Sequence, residues 1–137
     1  MRYYLSGDLS GGVLMLMLRQ LSPVDYRLCN QTVTVYHWDE KETYTTTVIE
    51  DAFLEHRTGK RIDKTGQHEE DSFLLVIPGA EVRVAVKDKV LLGRGEEIST
   101  REAWAALHPS KVPDLVVVKW VEPKYWRGQI VHTEAGG

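Results

Sequence analysis

Cysteine is almost absent from this chain, since Cys29 is the only one in 137 residues. A single cysteine excludes an intrachain disulfide and a zinc site built from several cysteines. Its neighbours, Leu28 and Asn30, offer no catalytic partner, so we predict that Cys29 is a buried structural thiol. Long apolar runs are also missing. Residues 13–18 are apolar but Arg19 follows, and about 20 residues are needed to span a bilayer, so we expect no membrane partner.

Neither sign of charge dominates the sequence. Seventeen basic and 20 acidic residues give a net charge of −3 at pH 7. This balance excludes polyanion binding through bulk charge, so a nucleic-acid contact would need a local basic patch. The length indicates one domain, and a hydrophobic fraction of 42% is enough for a modest core.

Catalytic and cofactor motifs are missing as well. The chain has no HExxH, Gly-x-Ser-x-Gly, Walker A or dinucleotide-binding pattern. His56 and His68 could meet only if the polar segment between them closed into a loop. An acidic group in the first predicted hairpin is typical of a solvated surface; it comprises Glu40, Glu42, Glu50, Asp51 and Glu55. We therefore predict a protein that is not an enzyme, with no catalytic residues, no cofactor and no metal.

Two regions of the chain differ in pattern. Residues 1–30 hold the apolar run, which Ser22-Pro23 ends, so we predict an N-terminal extension with a short apolar helix. From residue 31 the period changes to two, which is typical of strands. Val33 and Val35 alternate with Tyr36 and Trp38, for example.

The periodicity predicts strands over residues 32–38, 43–54, 73–77, 81–86, 90–92, 115–121 and 128–132. One helix is predicted over residues 99–108, with Ser99 as its N-cap and Glu102 completing a capping box. Trp104 should pack from this helix onto the sheet. Together these elements predict a mainly β domain over residues 31–137, a small β-barrel or sandwich with one inserted helix.

A polar segment, residues 56–71, separates two of these strands. Compact domains usually join strands in about 2 to 6 residues, so the segment predicts a long, functional inter-strand loop. Its first half is basic, with Arg57, Lys60, Arg61 and Lys64, and its second half is acidic, with Glu69, Glu70 and Asp71. The cations could neutralise DNA phosphates, and Gly59 and Gly66 are predicted loop hinges.

Aromatic residues near the strand ends predict a subunit interface. Tyrosine and tryptophan are enriched in protein interfaces, where they supply large contact areas. The predicted interface residues are Trp38, Trp120, Tyr125 and Trp126, together with the acidic residues Glu69 and Glu70 of the polar segment.

The order of these elements resembles minor structural proteins of tailed phages and prophages. The similarity extends over residues 32–137 and is strongest to the head-completion group, the head-closure or stopper proteins of the neck. It rests on four stretches and on the polar segment between the first two: Val33-Thr-Val-Tyr-His37, Asp71-Ser-Phe-Leu-Leu-Val-Ile-Pro78, Lys87-Asp-Lys-Val-Leu-Leu-Gly-Arg-Gly95 and Arg127-Gly-Gln-Ile-Val-His-Thr-Glu-Ala-Gly-Gly137.

This resemblance implies a β-barrel that assembles as a homo-oligomeric ring, a dodecamer, between the portal–adaptor complex and the tail-completion proteins. It implies that loop 56–71 faces the channel and helps to retain packaged double-stranded DNA through unspecific contacts. The protein would then reside in the virion neck and, during assembly, in the host cytoplasm.

Two alternatives stay open. One is another neck component, an adaptor or a tail-completion protein. The other is a small OB-like barrel that binds single-stranded nucleic acid, with Tyr36 and Trp38 stacking bases from one strand face.

Overall fold

A computed structural model describes residues 25–64 and 66–137, without the side chains of residues 58–63 and 67–71. The helix predicted within the N-terminal extension lies outside the described residues. The elements in chain order are β1 (Gln31–Trp38), β2 (Tyr44–Asp63), β3 (Gly66–Pro78), β4 (Lys89–Leu92), α1 (Arg101–Ala106), β5 (Leu115–Val117), β6 (Trp120–Trp126) and β7 (Gln129–Gly136).

The seven strands form a single antiparallel sheet in the order β5-β4-β1-β2-β3-β7-β6. The prediction of a mainly β domain with one inserted helix is therefore confirmed. Strands that follow each other in the chain mostly pair as hairpins. The β6–β7 hairpin turns at Arg127 and Gly128, whose φ values of 51° and 79° match the positive φ that a type I′ turn requires at both central residues.

The two end strands of this open sheet, β5 and β6, are joined by only Val118 and Lys119. The Val118 N–H donates to Asp88 O on the β4 side (2.9 Å), whereas the Lys119 N–H donates to Gly136 O on the β7 side (2.8 Å). Successive N–H groups of an extended strand point to opposite sides. The segment 115–126 therefore stands between β4 and β7, and the sheet curls into a barrel-like body.

One hydrophobic core fills this curled sheet, and every strand contributes to it. The residues that pack together include Val33, Ile49, Leu75, Val90, Val116, Val121 and Ala135. β-branched residues recur among them because they fit the pleated surface of a strand. Burying such side chains contributes roughly 1.5–3 kcal/mol each, so this core is the main stabilising term of the domain.

Strand β1 is buried on both faces, which its alternating pattern did not predict. Tyr36 is only 2% exposed because residues 93–98 cover the outer face. Its hydroxyl donates to Glu96 O (2.9 Å), and Thr34 Oγ1 donates to Gly93 O (2.8 Å) and accepts from the Gly95 N–H (2.8 Å). Burial, followed by the nearby Glu96 charge, raises the pKa of Tyr36.

Three local predictions were wrong. Residues 81–86 form no strand, although Val84 is buried, and the predicted strand 115–121 breaks at residues 118–119 because the chain passes there from one sheet edge to the other. The N-cap of α1 is Thr100, whose Oγ1 accepts from the Ala103 N–H (3.1 Å), and not Ser99. The packing of Trp104 is confirmed, since its ring lies 6.0 Å from that of Trp38.

Gly136 lies at a close approach between β7, the Trp120 ring and the Phe73 backbone. A Cβ added there would collide with the Trp120 indole and would lie 2.8 Å from Phe73 O. We expect Gly136→Ala to lower the free energy of unfolding by about 1–3 kcal/mol, as overpacking does. Urea unfolding measures this loss. In a Trp120→Ala background the loss should shrink, and an equal loss in both backgrounds would contradict the assigned clash.

Candidate functional site

Residues 56–63 and 66–71 form the two strands of a β-ribbon and not the predicted loop. Their backbone continues the β2–β3 ladder from Arg57 opposite Ser72 to Asp63 opposite Gly66. The sequence hid these strands because neither face of the segment carries an alternating hydrophobic row. Two paired strands of polar residues show no hydrophobic alternation in the sequence.

The ribbon leaves the body of the barrel. Strand β1 pairs with β2 only as far as Ala52, and strand β7 follows β3 only to Leu74, after which the Phe73 N–H donates to Gly137 O (3.1 Å). Beyond these positions the two strands pair only with each other among the described residues. From Arg57 to Asp63 the ribbon extends about 20 Å at the rise of a β-strand.

The two strands of the ribbon carry opposite charges. The register places Lys60 opposite Glu69 and Arg61 opposite His68. Arg57 is exposed at the ribbon base, where its Nη2 lies 3.1 Å from a Glu55 carboxylate oxygen. Lys64 is exposed at the turn. The cations predicted to contact DNA therefore follow the outgoing strand and end at the tip.

The glycines predicted as hinges occupy ladder positions. Gly59 lies within β2 opposite Glu70, and Gly66 begins β3 opposite Asp63. The φ of Gly66 is +126°, a region that L-residues with side chains rarely adopt, so this glycine forms the turn. The hinge prediction assumed an irregular loop, which the ladder replaces.

A cleft of about 680 Å³ opens at the base of the ribbon. It lies between the ribbon, strand β5, the turn after α1 and the end of β7. Its apolar wall includes Phe73, Leu107, Pro109, Leu115 and Val116. Its polar lining includes Arg57, Lys89 and Lys119, the imidazoles of His56 and His108, and, among the described side chains, one carboxylate, that of Asp114. The side-chain charges of the lining are therefore predominantly positive.

Two cations of this cleft differ in environment. The Lys89 Nζ donates to Trp104 O (2.8 Å) and lies 4.3 Å from the centre of the Trp104 ring. Burial lowers the pKa of Lys89. Lys119 is exposed beside Gly137 at the barrel edge. Lys89 is thus held by the fold, while Lys119 is the accessible cation.

The aromatic residues predicted as a subunit interface separate into two groups. Trp38 stacks on Tyr44 with ring centroids 5.8 Å apart and lies close to Trp104, so it belongs to an intramolecular cluster. Trp126 is half-buried. Trp120 and Tyr125 are 42% and 65% exposed on the end strand β6 and remain available to a partner.

The free edge of β6 has features that oppose pairing with another strand. Pro123 lies within the strand and has no N–H to donate. Lys124 lies 3.1 Å from Glu122 and 3.2 Å from Glu134, and these hydrogen bonds raise the pKa of Lys124. Proline and charged side chains are the usual protection of an exposed strand edge. Trp120 and Tyr125 would therefore serve side-chain packing rather than strand addition.

The burial of Tyr36 weakens the alternative in which the protein binds single-stranded nucleic acid. Its ring is covered and its hydroxyl is bonded, so it presents no face on which a base could stack. Trp38 is engaged with Tyr44. The exposed row of aromatics that this alternative required is absent from this face of the described β1 strand.

Four of the five acidic residues of the first hairpin have cationic partners. Glu40 pairs with Lys87 (2.9 Å), Glu50 with Arg94 (2.7 Å), Asp51 with Arg83 (3.8 Å) and Glu55 with Arg57 (3.1 Å). His56 lies opposite Phe73 and His68 opposite Arg61, so the register keeps these histidines apart. Within residues 25–64 and 66–137, no cluster of three His, Cys, Asp or Glu residues could hold a metal ion. No helix in the described part is long and apolar enough to cross a membrane.

A smaller cavity of about 240 Å³ lies on the far side of the sheet, beside Cys29 and His132. Cys29 is half-buried rather than fully buried as predicted. The Tyr26 hydroxyl and His132 Nδ1 are 2.7 Å apart and share a hydrogen bond. This contact connects the segment before β1 to strand β7.

The buried His132 predicts a pH-dependent stability. Burial lowers the pKa of His132, although the Glu134 charge opposes the shift. Below the ordinary value of 6.5, the unfolded chain binds the proton more readily than the folded chain. Stability should therefore fall as the pH drops from 6.5 toward the folded pKa. Urea unfolding of wild type and His132→Gln on both sides of pH 6.5 tests this, and parallel pH profiles would refute it.

The charged segment is visible in the sequence, but the cleft is not. Lys89, His108, Asp114 and Lys119 belong to four separate elements or turns, and no spacing in the sequence links them. Only the curling of the sheet at Val118 and Lys119 brings them near the ribbon base. No local pattern could have identified this set.

Comparison with known protein families matches residues 28–137 to DUF6751, a family of unknown function. No curated protein and no solved structure gives a significant match to the chain. The matched residues span the sheet, the ribbon and the cleft. The chain therefore belongs to the DUF6751 family.

Proposed function

We propose that the protein is a virion structural protein of a tailed phage or prophage, a head-closure connector that forms a ring in the neck. In this proposal the ribbon over residues 56–71 faces the central channel and helps to retain the packaged double-stranded DNA. The protein acts by assembly and obstruction, without catalysis, and its partners are copies of itself, the portal–adaptor complex and the tail-completion proteins. It resides in the virion neck after assembly in the host cytoplasm.

The charged ribbon is the observation that carries this proposal. A compact body of seven strands projects a two-stranded arm of about 20 Å whose outgoing strand is basic and whose tip bears the exposed Lys64. An arm without a hydrophobic face contributes no core to its own domain. It is suited to reach a partner or a polyanion outside the barrel.

Ring assembly gives the exposed aromatic residues of β6 a role. Trp120 and Tyr125 project from β6 and would pack against a neighbouring subunit. A contact between two different surfaces of identical subunits closes into a ring when the rotation between them allows it. Arms of successive subunits would then converge on the axis, where their cations could meet DNA phosphates from all sides.

A null mutation in the phage or prophage that encodes the protein tests this function. We expect heads that fill with DNA but neither retain it nor join tails, while tails assemble normally; electron microscopy and nuclease protection of the head DNA measure both effects. Complementation with the wild-type chain should restore virions. Stable full heads that only lack tails would instead assign the protein to tail completion, and normal infectious particles would contradict every neck role.

A further inference from the structure

The cleft at the ribbon base adjoins an unpaired strand edge. Strand β5 pairs with β4 alone among the described strands. The Leu92 N–H donates to Asp114 O (3.3 Å) and the Val118 N–H to Asp88 O (2.9 Å), so residues 114, 116 and 118 face β4. Because backbone groups alternate along a strand, those of Leu115 and Val117 point away from β4. Both residues line the cleft.

This edge lacks the protection found on β6. Residues 115–117 are Leu-Val-Val, with no proline and no charged side chain. The side chains of Leu115 and Val116 are buried in the barrel, and Val117 is half-buried beside Gly137. An unpaired strand edge is nevertheless a template for another strand, and proteins add peptides to such edges through main-chain hydrogen bonds. Phe73, Leu107 and Pro109 supply apolar walls on which alternate side chains of an added strand could rest.

The positive charge of the cleft favours an acidic added strand. Lys119, Lys89 and Arg57 line it against Asp114, so an acidic strand fits better than a basic or neutral one. The chain itself carries such a strand: the returning half of the ribbon reads Gly66-Gln-His-Glu-Glu-Asp71. Residues 66–72 pair with β2 along one edge, and no described strand pairs with their other edge.

We propose that the returning strand of one subunit's ribbon, residues 67–71, adds to the β5 edge of the next subunit and places Glu69 and Glu70 near its Lys119. The contact joins two different surfaces of the chain, so it propagates around a ring. The ribbon's reach of about 20 Å allows it to leave its own barrel and enter a neighbour's cleft. This inference rests on the proposed connector function and adds a strand-to-edge contact to the packing of Trp120 and Tyr125.

Charge reversal tests the contact. Glu69→Lys/Glu70→Lys and, separately, His108→Glu/Lys119→Glu should each reduce the assembled fraction at least tenfold, measured by native mass spectrometry of the full chain. Mixing the two variants should restore assembly, since each reversed strand then meets a cleft of opposite charge. Lys111→Glu, an exposed charge reversal outside the cleft, is the control and should assemble like wild type.

A crosslink identifies the contact independently of stability. A carbodiimide joins carboxylates to amines at bonding distance, and a mixture of isotopically labelled and unlabelled chains distinguishes contacts between copies. We expect mixed-isotope crosslinks between peptides containing Lys119 and peptides containing Glu69 and Glu70.

Three results would overturn the inference. If both charge-reversed variants still formed rings as the wild type does, the connector function would stand and the ring contact would lie elsewhere. If His108→Glu/Lys119→Glu abolished binding to double-stranded DNA but not assembly, the cleft would be a phosphate site. A wild-type chain without any assembly would exclude this contact, while the phenotype of the null mutant would still decide the neck function.

Discussion

Neutralising the ribbon cations, as Lys60→Ala/Arg61→Ala/Lys64→Ala, should weaken binding to double-stranded DNA by on the order of tenfold or more at low salt. Binding releases fewer counterions for each phosphate contact that is lost, so the magnitude of the slope of log affinity against log salt should fall by up to about 3. Fluorescence anisotropy of the assembled protein with a short duplex measures both quantities. In particles, the same variant should assemble but release its DNA.

A matched control separates the ribbon from net charge. Arg27→Ala/Lys41→Ala/Lys111→Ala removes the same charge from exposed positions on the body. This variant should keep nearly the wild-type affinity and salt slope. An equal loss in both triple variants would show that the ribbon has no special role in DNA contact, and unchanged DNA retention in the ribbon variant would remove the plugging role from the proposal.

Replacing Asp88 by alanine should cause the largest loss of stability among single substitutions of polar residues. The carboxylate is 4% exposed, contacts His37 Nδ1 at 2.5 Å, and accepts the Ala85 N–H at 2.8 Å. Its own carbonyl accepts from Val118, where the sheet curls from one edge to the other. The substitution keeps this backbone bond but removes both side-chain bonds and leaves the half-buried Ala85 N–H unpaired, which should lower the free energy of unfolding by about 2–4 kcal/mol.

Urea unfolding of Asp88→Ala, Asp88→Asn and Glu50→Ala provides the comparison. Asparagine can still accept the Ala85 N–H, so Asp88→Asn should lose less than Asp88→Ala. Glu50 forms a short but exposed pair with Arg94 (2.7 Å), and such pairs contribute at most about 1 kcal/mol. Similar losses in Asp88→Ala and Glu50→Ala would mean that Asp88 does not stabilise the corner of the barrel.

The β architecture was predictable because most strands bury one hydrophobic row. Strands were predicted at the correct positions around Val33 and Val35, around Leu75 and Ile77, and around Val90, because alternation reflects burial on one face. The ribbon was not predictable, because a ladder between two polar strands requires no hydrophobic residue. The region around Val84 misled in the opposite direction: residues 81–86 alternate in sequence but find no neighbouring strand.

The candidate site was also predictable only in part. The basic and acidic halves of residues 56–71 were visible as charge in the sequence, and their connection as paired strands was not. Trp38 was predicted at an interface, yet its ring stacks within the chain, because its strand ends beside Tyr44 and α1. The cleft depends on the corner at Val118 and Lys119, a tertiary feature that no local pattern encodes.

The native mass of the full chain tests the central claim, that this protein works as an assembled ring, most directly. Native mass spectrometry and light scattering should be carried out on the chain alone and with portal–adaptor and tail-completion proteins. The account predicts a species at twelve times the chain mass of 15.6 kDa, either alone or on the neck complex. A monomer that stays monomeric with every neck protein would contradict it.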